Sequence, residues 1–95
     1  MNIKWPFADA RNTAVFTTRE VLEGGMPILR VTHDDDDGAW QFQSGEVVSE
    51  YNAMVIALEE IVEHDSTVLT LADLPLGWIA TRRSVDDEWK RQETN

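Results

Sequence analysis

Apolar positions in this chain follow two different periods. Thr13 to Thr18 (TAVFTT) is β-branched and aromatic and reads as a strand. The stretch from Thr18 to Glu23 fits one helical turn, ended by Gly24-Gly25. Met26 to His33 reads as a second strand whose start is restricted by Pro27. Ala39 to Gln43 alternates, with Trp40 and Phe42 on one side, after the hairpin-favouring pair Asp37-Gly38. A hairpin pairing about 27–33 with 39–43 follows. Val47, Val48, Tyr51, Met54, Val55, Leu58, Ile61 and Val62 then recur at steps of three and four, which predicts an amphipathic helix over 47–64.

Asp65-Ser66 can cap a short helix over 66–72 that carries Val68, Leu69 and Leu71. Leu74-Pro75-Leu76-Gly77 breaks it, Trp78 to Arg82 reads as a strand, and 86–92 holds a short strand or helix around Trp89. The expected fold class is α+β: a small antiparallel sheet of about four strands, in the order β-β-β-α-α-β, with one long and one short helix on one face. The expected organisation is a single domain over 1–95, with an irregular lead-in at 1–12, a core at about 13–83 and a tail at 84–95.

Composition narrows this picture. An apolar share of 42% with four tryptophans in 95 residues is too high for a disordered chain. No apolar run approaches the roughly 18–20 residues that span a bilayer. The stretch MNIKWPFADARN has no secretory-signal pattern. Without cysteine there is no disulfide framework, thiolate metal site or thiol nucleophile, and the default expectation is a cytoplasmic protein. A net charge of −10 argues against nucleic acid or an anionic membrane as partner. Between Val31 and Thr81 there are eleven acids and no Lys or Arg, so a basic protein partner suits this segment. Oligomeric state is left open.

The run Asp34-Asp35-Asp36-Asp37 is the first candidate site. With Gly38 at position 6 of an EF-hand loop, His33 falls at position 1, Asp35 at 3, Asp37 at 5 and Ser44 at 12. The first and last ligands are wrong, so that register fails. A looser divalent-cation module at this turn is the alternative reading. Electrostatics does not demand a cation, because carboxylates about 7 Å apart in water repel by only roughly 0.6 kcal/mol before screening.

His33 and His64 fall at element ends with nothing fixing their separation, and no H-E-x-x-H, G-x-S-x-G or phosphate loop is present. The expectation is therefore a non-enzyme with no cofactor and no assigned metal ligand. On a helix over 47–64, Ile56 projects away from the apolar stripe beside Glu59, Glu60 and Glu63, as an apolar anchor ringed by acids would. Trp40 and Trp78 lie in predicted strands and fit a core, whereas Trp5 and Trp89 flank polar termini.

Three stretches resemble a known family: TREVLEGGMPI, DDDDGAWQFQSGE and EHDSTVLTLADLPLGWIATR. In that order and spacing, over about residues 15–83, the chain is similar to small bacterial domains of unknown function grouped as the thirty-third class of predicted immunity proteins of polymorphic toxin systems. The family's recurrent marks fall here on Asp36, Asp37, Gly38, Trp40 and Phe42, and on Leu74, Pro75 and Gly77. The acidic, glycine-rich loop common after the aromatic strand is reduced to Ser44-Gly45-Glu46, and the segment past Ser84 has no counterpart. The resemblance implies a protein-binding role against a basic toxin domain. The candidate partner-binding set is Asp34, Asp35, Asp36, Asp37, Trp40, Ile56, Glu59, Glu60 and Glu63.

Overall fold

A computed structural model describes residues 4–45 and 52–94 of the chain. Its elements run β1 (Ala14–Thr18), α1 (Arg19–Leu22), β2 (Arg30–His33), β3 (Trp40–Gln43), β4 (Ala53–Ala57), α2 (Leu58–His64), a 3-10 helix (Ser66–Leu71), β5 (Trp78–Thr81) and β6 (Lys90–Glu93). The strands form one six-stranded sheet in the order β4-β1-β3-β2-β5-β6. The class is α+β, as expected, but the sheet is larger and mixed. β1 pairs with β3 in parallel, with Phe16 opposite Gln41, and every other pairing is antiparallel. The Thr17 hydroxyl reinforces that seam by donating to the Phe42 carbonyl at 2.8 Å.

The largest departure from expectation lies in the predicted long helix. Its first part, 47–51, is outside the described residues. Residues 53–57 are a strand, and only Leu58–His64 is helical. The reason is the β-branched pair Val55-Ile56 in a five-residue register with β1, from Ala14 opposite Ala57 to Thr18 opposite Ala53. The backbone is still extended at Ala57 (φ −74°, ψ 144°), and α2 starts at the next residue with no side-chain cap. Ile56 is therefore not an outward anchor on a helix. It is a half-buried strand residue opposite Val15, packed against the core. Val55, opposite Phe16, takes the solvent face and is 61% exposed.

Strand alternation separates the two sides of the sheet. Val15, Val31, Trp40, Phe42 and Ala80 share one side and pack with Leu58, Ile61 and Val62 of α2, Val68 and Leu71 of the 3-10 helix, and Leu74. Phe7 from the irregular lead-in closes this core, edge-on to Trp40 with ring centroids 5.4 Å apart. Asp65 caps the 3-10 helix by accepting from the Thr67 N–H at 3.0 Å, which matches the expected cap.

The base of the fold is tied by Arg82, whose side chain is 1% exposed. It donates to Asp65 at 2.9 Å, to the Ile28 carbonyl at 3.0 Å and to the Thr67 hydroxyl at 3.0 Å, and its guanidinium lies 4.1 Å from the Trp89 ring centre. Burial alone would push the Asp65 carboxyl up. The hydroxyl and N–H of Thr67 and the Arg82 guanidinium outweigh it and hold the group below the usual carboxylate range.

Two predictions follow from this packing. Ile56→Ala is expected to cost about 2 kcal/mol in urea unfolding, and Val55→Thr under about 0.5 kcal/mol, the reverse of what a continuous helix would give. Asp65 is an acid with a lowered folded pKa, so its stabilisation is complete at neutral pH and lost as pH falls from about 4 through the lower folded value. Asp65→Ala should therefore cost about 3 kcal/mol at pH 7, and the difference from the parent should shrink in acid.

Candidate binding surface

The side of the sheet opposite the core carries no helix among the described residues. Ala14, Phe16, Thr32, Arg30, Gln41, Gln43, Val55 and Ile79 share it by register. At one end the β2–β3 hairpin ends in the aspartate run. The loop is wider than a two-residue turn: the Asp34 N–H donates to the Ala39 carbonyl at 2.8 Å, and the Asp34 carbonyl accepts from Gly38 at 2.9 Å. Gly38 returns the chain at φ +74°, and the Asp37 carboxylate accepts from the Ala39 N–H at 2.9 Å.

Beneath the turn is an aromatic support. His33 stacks on Trp40 with centroids 3.8 Å apart, and its Nδ1 donates to the Leu74 carbonyl at 2.7 Å. The His33 carbonyl accepts from Gly77 at 2.7 Å. The Leu74–Gly77 turn is thus fastened beside the acidic turn, although about 40 residues separate them in the chain. Gly77 adopts φ +80°, and a Cβ there would lie 3.4 Å from an Asp35 carboxylate oxygen. Trp40 is 1% exposed and donates to the Asp9 carboxylate at 3.2 Å. It supports the turn from within and has no surface to offer a partner, which corrects its inclusion in the binding set.

A polar chain crosses the open side. Arg30 donates to the Gln43 oxygen at 2.8 Å, Gln43 to the Gln41 oxygen at 2.9 Å, and Gln41 to the Asp34 carboxylate at 2.7 Å. Guanidinium only donates and carboxylate only accepts, so both amides can face only one way. A cavity of about 520 Å³ opens over this chain, lined by Arg30, Thr32, the four aspartates, Gln41 and Gly77 among others. Asp35 and Asp36 are exposed at its rim and have no hydrogen bond or ion pair among the described residues.

The expected acidic face is split. α2 carries Glu59, half-buried, and Glu60 and Glu63, both exposed. It leaves β4 at the end of the sheet that bears the acidic turn, since Ala57 pairs with Ala14 at the start of β1, which runs parallel to β3. But α2 packs on the core side, whereas the aspartates border the cavity on the other. No group of three or more His, Asp or Glu side chains among the described residues is placed to hold a metal ion.

The buried Thr32, Gln41 and the exposed pair Phe16 and Val55 (40% and 61%) lie on this side and were not among the candidates read from the sequence, whereas Gly77 was read only as a turn residue. The alternation in TAVFTT, which sets Phe16 opposite in sense to Val15, was the available signal for one of them. No helix among the described residues is long and apolar enough to cross a membrane. The chain matches no protein-family model, no curated protein and no solved structure in sequence or fold comparison.

The polar chain predicts local behaviour. Gln41→Met keeps the side-chain length but frees Asp34, and the Asp34 and Gly38 amides should exchange about fivefold faster by hydrogen–deuterium exchange, with global stability changed by less than about 1 kcal/mol.

Proposed function

We propose that this chain is a non-enzymatic protein-binding domain, immunity-like in role, that presents its acidic hairpin and the adjoining open sheet to a basic partner. The observation that carries this reading is the pair Asp35 and Asp36: two exposed carboxylates without partners among the described residues, at the mouth of a cavity on an uncovered sheet face. An exposed turn of this kind costs little to keep in water, and its charge becomes useful when a cation replaces that water.

Phe16 and Val55 supply the apolar part. They are register neighbours on the same open side, and Phe16 is also the register partner of Gln41 at the cavity floor. Apolar contact at the centre with charge at the edge is the usual division of labour in an interface. This pair takes the anchoring role that Ile56 cannot fill. The resemblance to predicted immunity proteins points the same way, since its two marked turns are the two that meet around His33. Glu60 and Glu63 lie on the other side of the sheet and serve as long-range steering charges in this scheme. A basic toxin domain is the partner class the resemblance suggests.

The test is kinetic. A partner recovered from the native host by affinity capture would be bound to the parent chain and to Asp35→Asn/Asp36→Asn at several salt concentrations. Association with the parent should slow steeply with salt. The double variant should associate about tenfold more slowly at low salt, with a smaller change in dissociation. A tight complex indifferent to both salt and the substitutions would overturn the proposal.

A further inference from the structure

The two edges of the sheet are finished differently. At one edge β6 reads Lys90-Arg91-Gln92-Glu93 and is exposed throughout, and such a charged edge resists pairing with another chain. At the other edge β4 reads Ala53-Met54-Val55-Ile56-Ala57, with no charge and no proline. Among the described residues, nothing pairs with its outer side.

Hydrogen-bond parity shows what that side offers. The Leu58 N–H donates to the Thr13 carbonyl at 2.8 Å, in the same register that sets Ala14 opposite Ala57. Antiparallel pairs alternate between bonded and unbonded, so Met54 and Ile56 turn their backbone N–H and C=O groups towards β1. Those of Val55 point out from the edge, together with the Ala53 carbonyl and the Ala57 N–H.

We propose that β4 is a self-association edge, where two copies of the chain pair antiparallel with Val55 on the two-fold axis and join their sheets into one. This goes beyond the acidic docking role and does not depend on it. Each Val55 N–H donates to the Val55 carbonyl of the other copy, and each Ala57 N–H to the other Ala53 carbonyl. About Val55 the strand is its own complement: Ala53 meets Ala57, and Met54 meets Ile56. On the open side, the row formed by Phe16 and Val55 continues into the same row of the second copy. On the core side, the half-buried Met54 and Ile56 cover one another.

Charge selects a second copy as the occupant. Neither β4 nor its neighbour β1 carries a charged side chain, although the chain has a net charge of −10. Arg19 follows β1 at the end where β4 begins, and makes only an exposed pair with Glu23 at 3.4 Å. The two-fold brings the Ala57 end of the other β4 to that end, and with it Glu59 and Glu60 at the start of the other α2. Opposite charges therefore flank the seam, about two strand spacings apart, or roughly 10 Å. A seam of one short edge is small, so the dimer is weak and reversible, with a Kd on the order of 100 μM.

The test is sedimentation velocity on the full chain, from about a tenth of that Kd to about ten times it. The mass should rise from 10.8 kDa towards that of two copies. Val55→Lys sets like charges directly opposite one another and should raise Kd about tenfold. Val55→Thr stays uncharged and β-branched and should associate like the parent, which covers the case in which the charged variant misfolds. Amide exchange reads the register: protection at Val55 and Ala57 should grow with concentration, while Met54 and Ile56 stay unchanged. A chain that remains monomeric over the whole range, leaving the edge to a strand of another protein, would overturn the proposal. So would a dimer that Val55→Lys leaves intact, or concentration-dependent protection at Lys90–Glu93 instead.

Discussion

A single buried guanidinium holds the lower half of this fold together. Arg82 contacts the chain just before β2, the cap of the 3-10 helix and the ring of Trp89 that leads into β6. Each of these segments is short and none is stable alone. A charge so enclosed is tolerable only when every face of it is answered, by Asp65, by carbonyl and hydroxyl oxygens and by an aromatic ring. Remove the carboxylate and the remaining contacts surround an unneutralised ion. The position of β5 in the sheet, and with it the Gly77 turn beside the aspartates, therefore depends on an ion pair well away from the proposed site.

The long helix shows where periodic reading fails. AMVIA followed by LEEIVEH offers apolar residues at helical steps throughout, yet the first five residues are a strand. A short continuous apolar run satisfies both periods, and nothing punctuates the passage from Ala57 to Leu58. What decides the matter is β1, with five positions waiting to be paired, and that contact spans some 40 residues of chain. The parallel β1–β3 seam was hidden for the same reason. Elements set by local chemistry were legible: the Asp65 cap, the strand Trp78–Thr81, and the hairpin closed by Gly38.

The candidate surface divides in the same way. Its charges were visible because four adjacent aspartates are conspicuous in any register. Its shape was not, because a cavity over an open sheet exists only once Thr32, Gln41 and Gly77 are brought together from three separate stretches.

The chain of donors from Arg30 to Asp34 has a property that its individual bonds lack. Each glutamine amide has two orientations of nearly equal internal energy, so the direction of the whole row is stored in its two charged ends and nowhere else. It behaves as a two-position latch, set by the sign of its termini. Exchanging those signs would let both amides rotate and rebuild the row in reverse without moving a strand. The open face thus has an electrical polarity that runs from Arg30 to Asp34 and is fixed by those two charges.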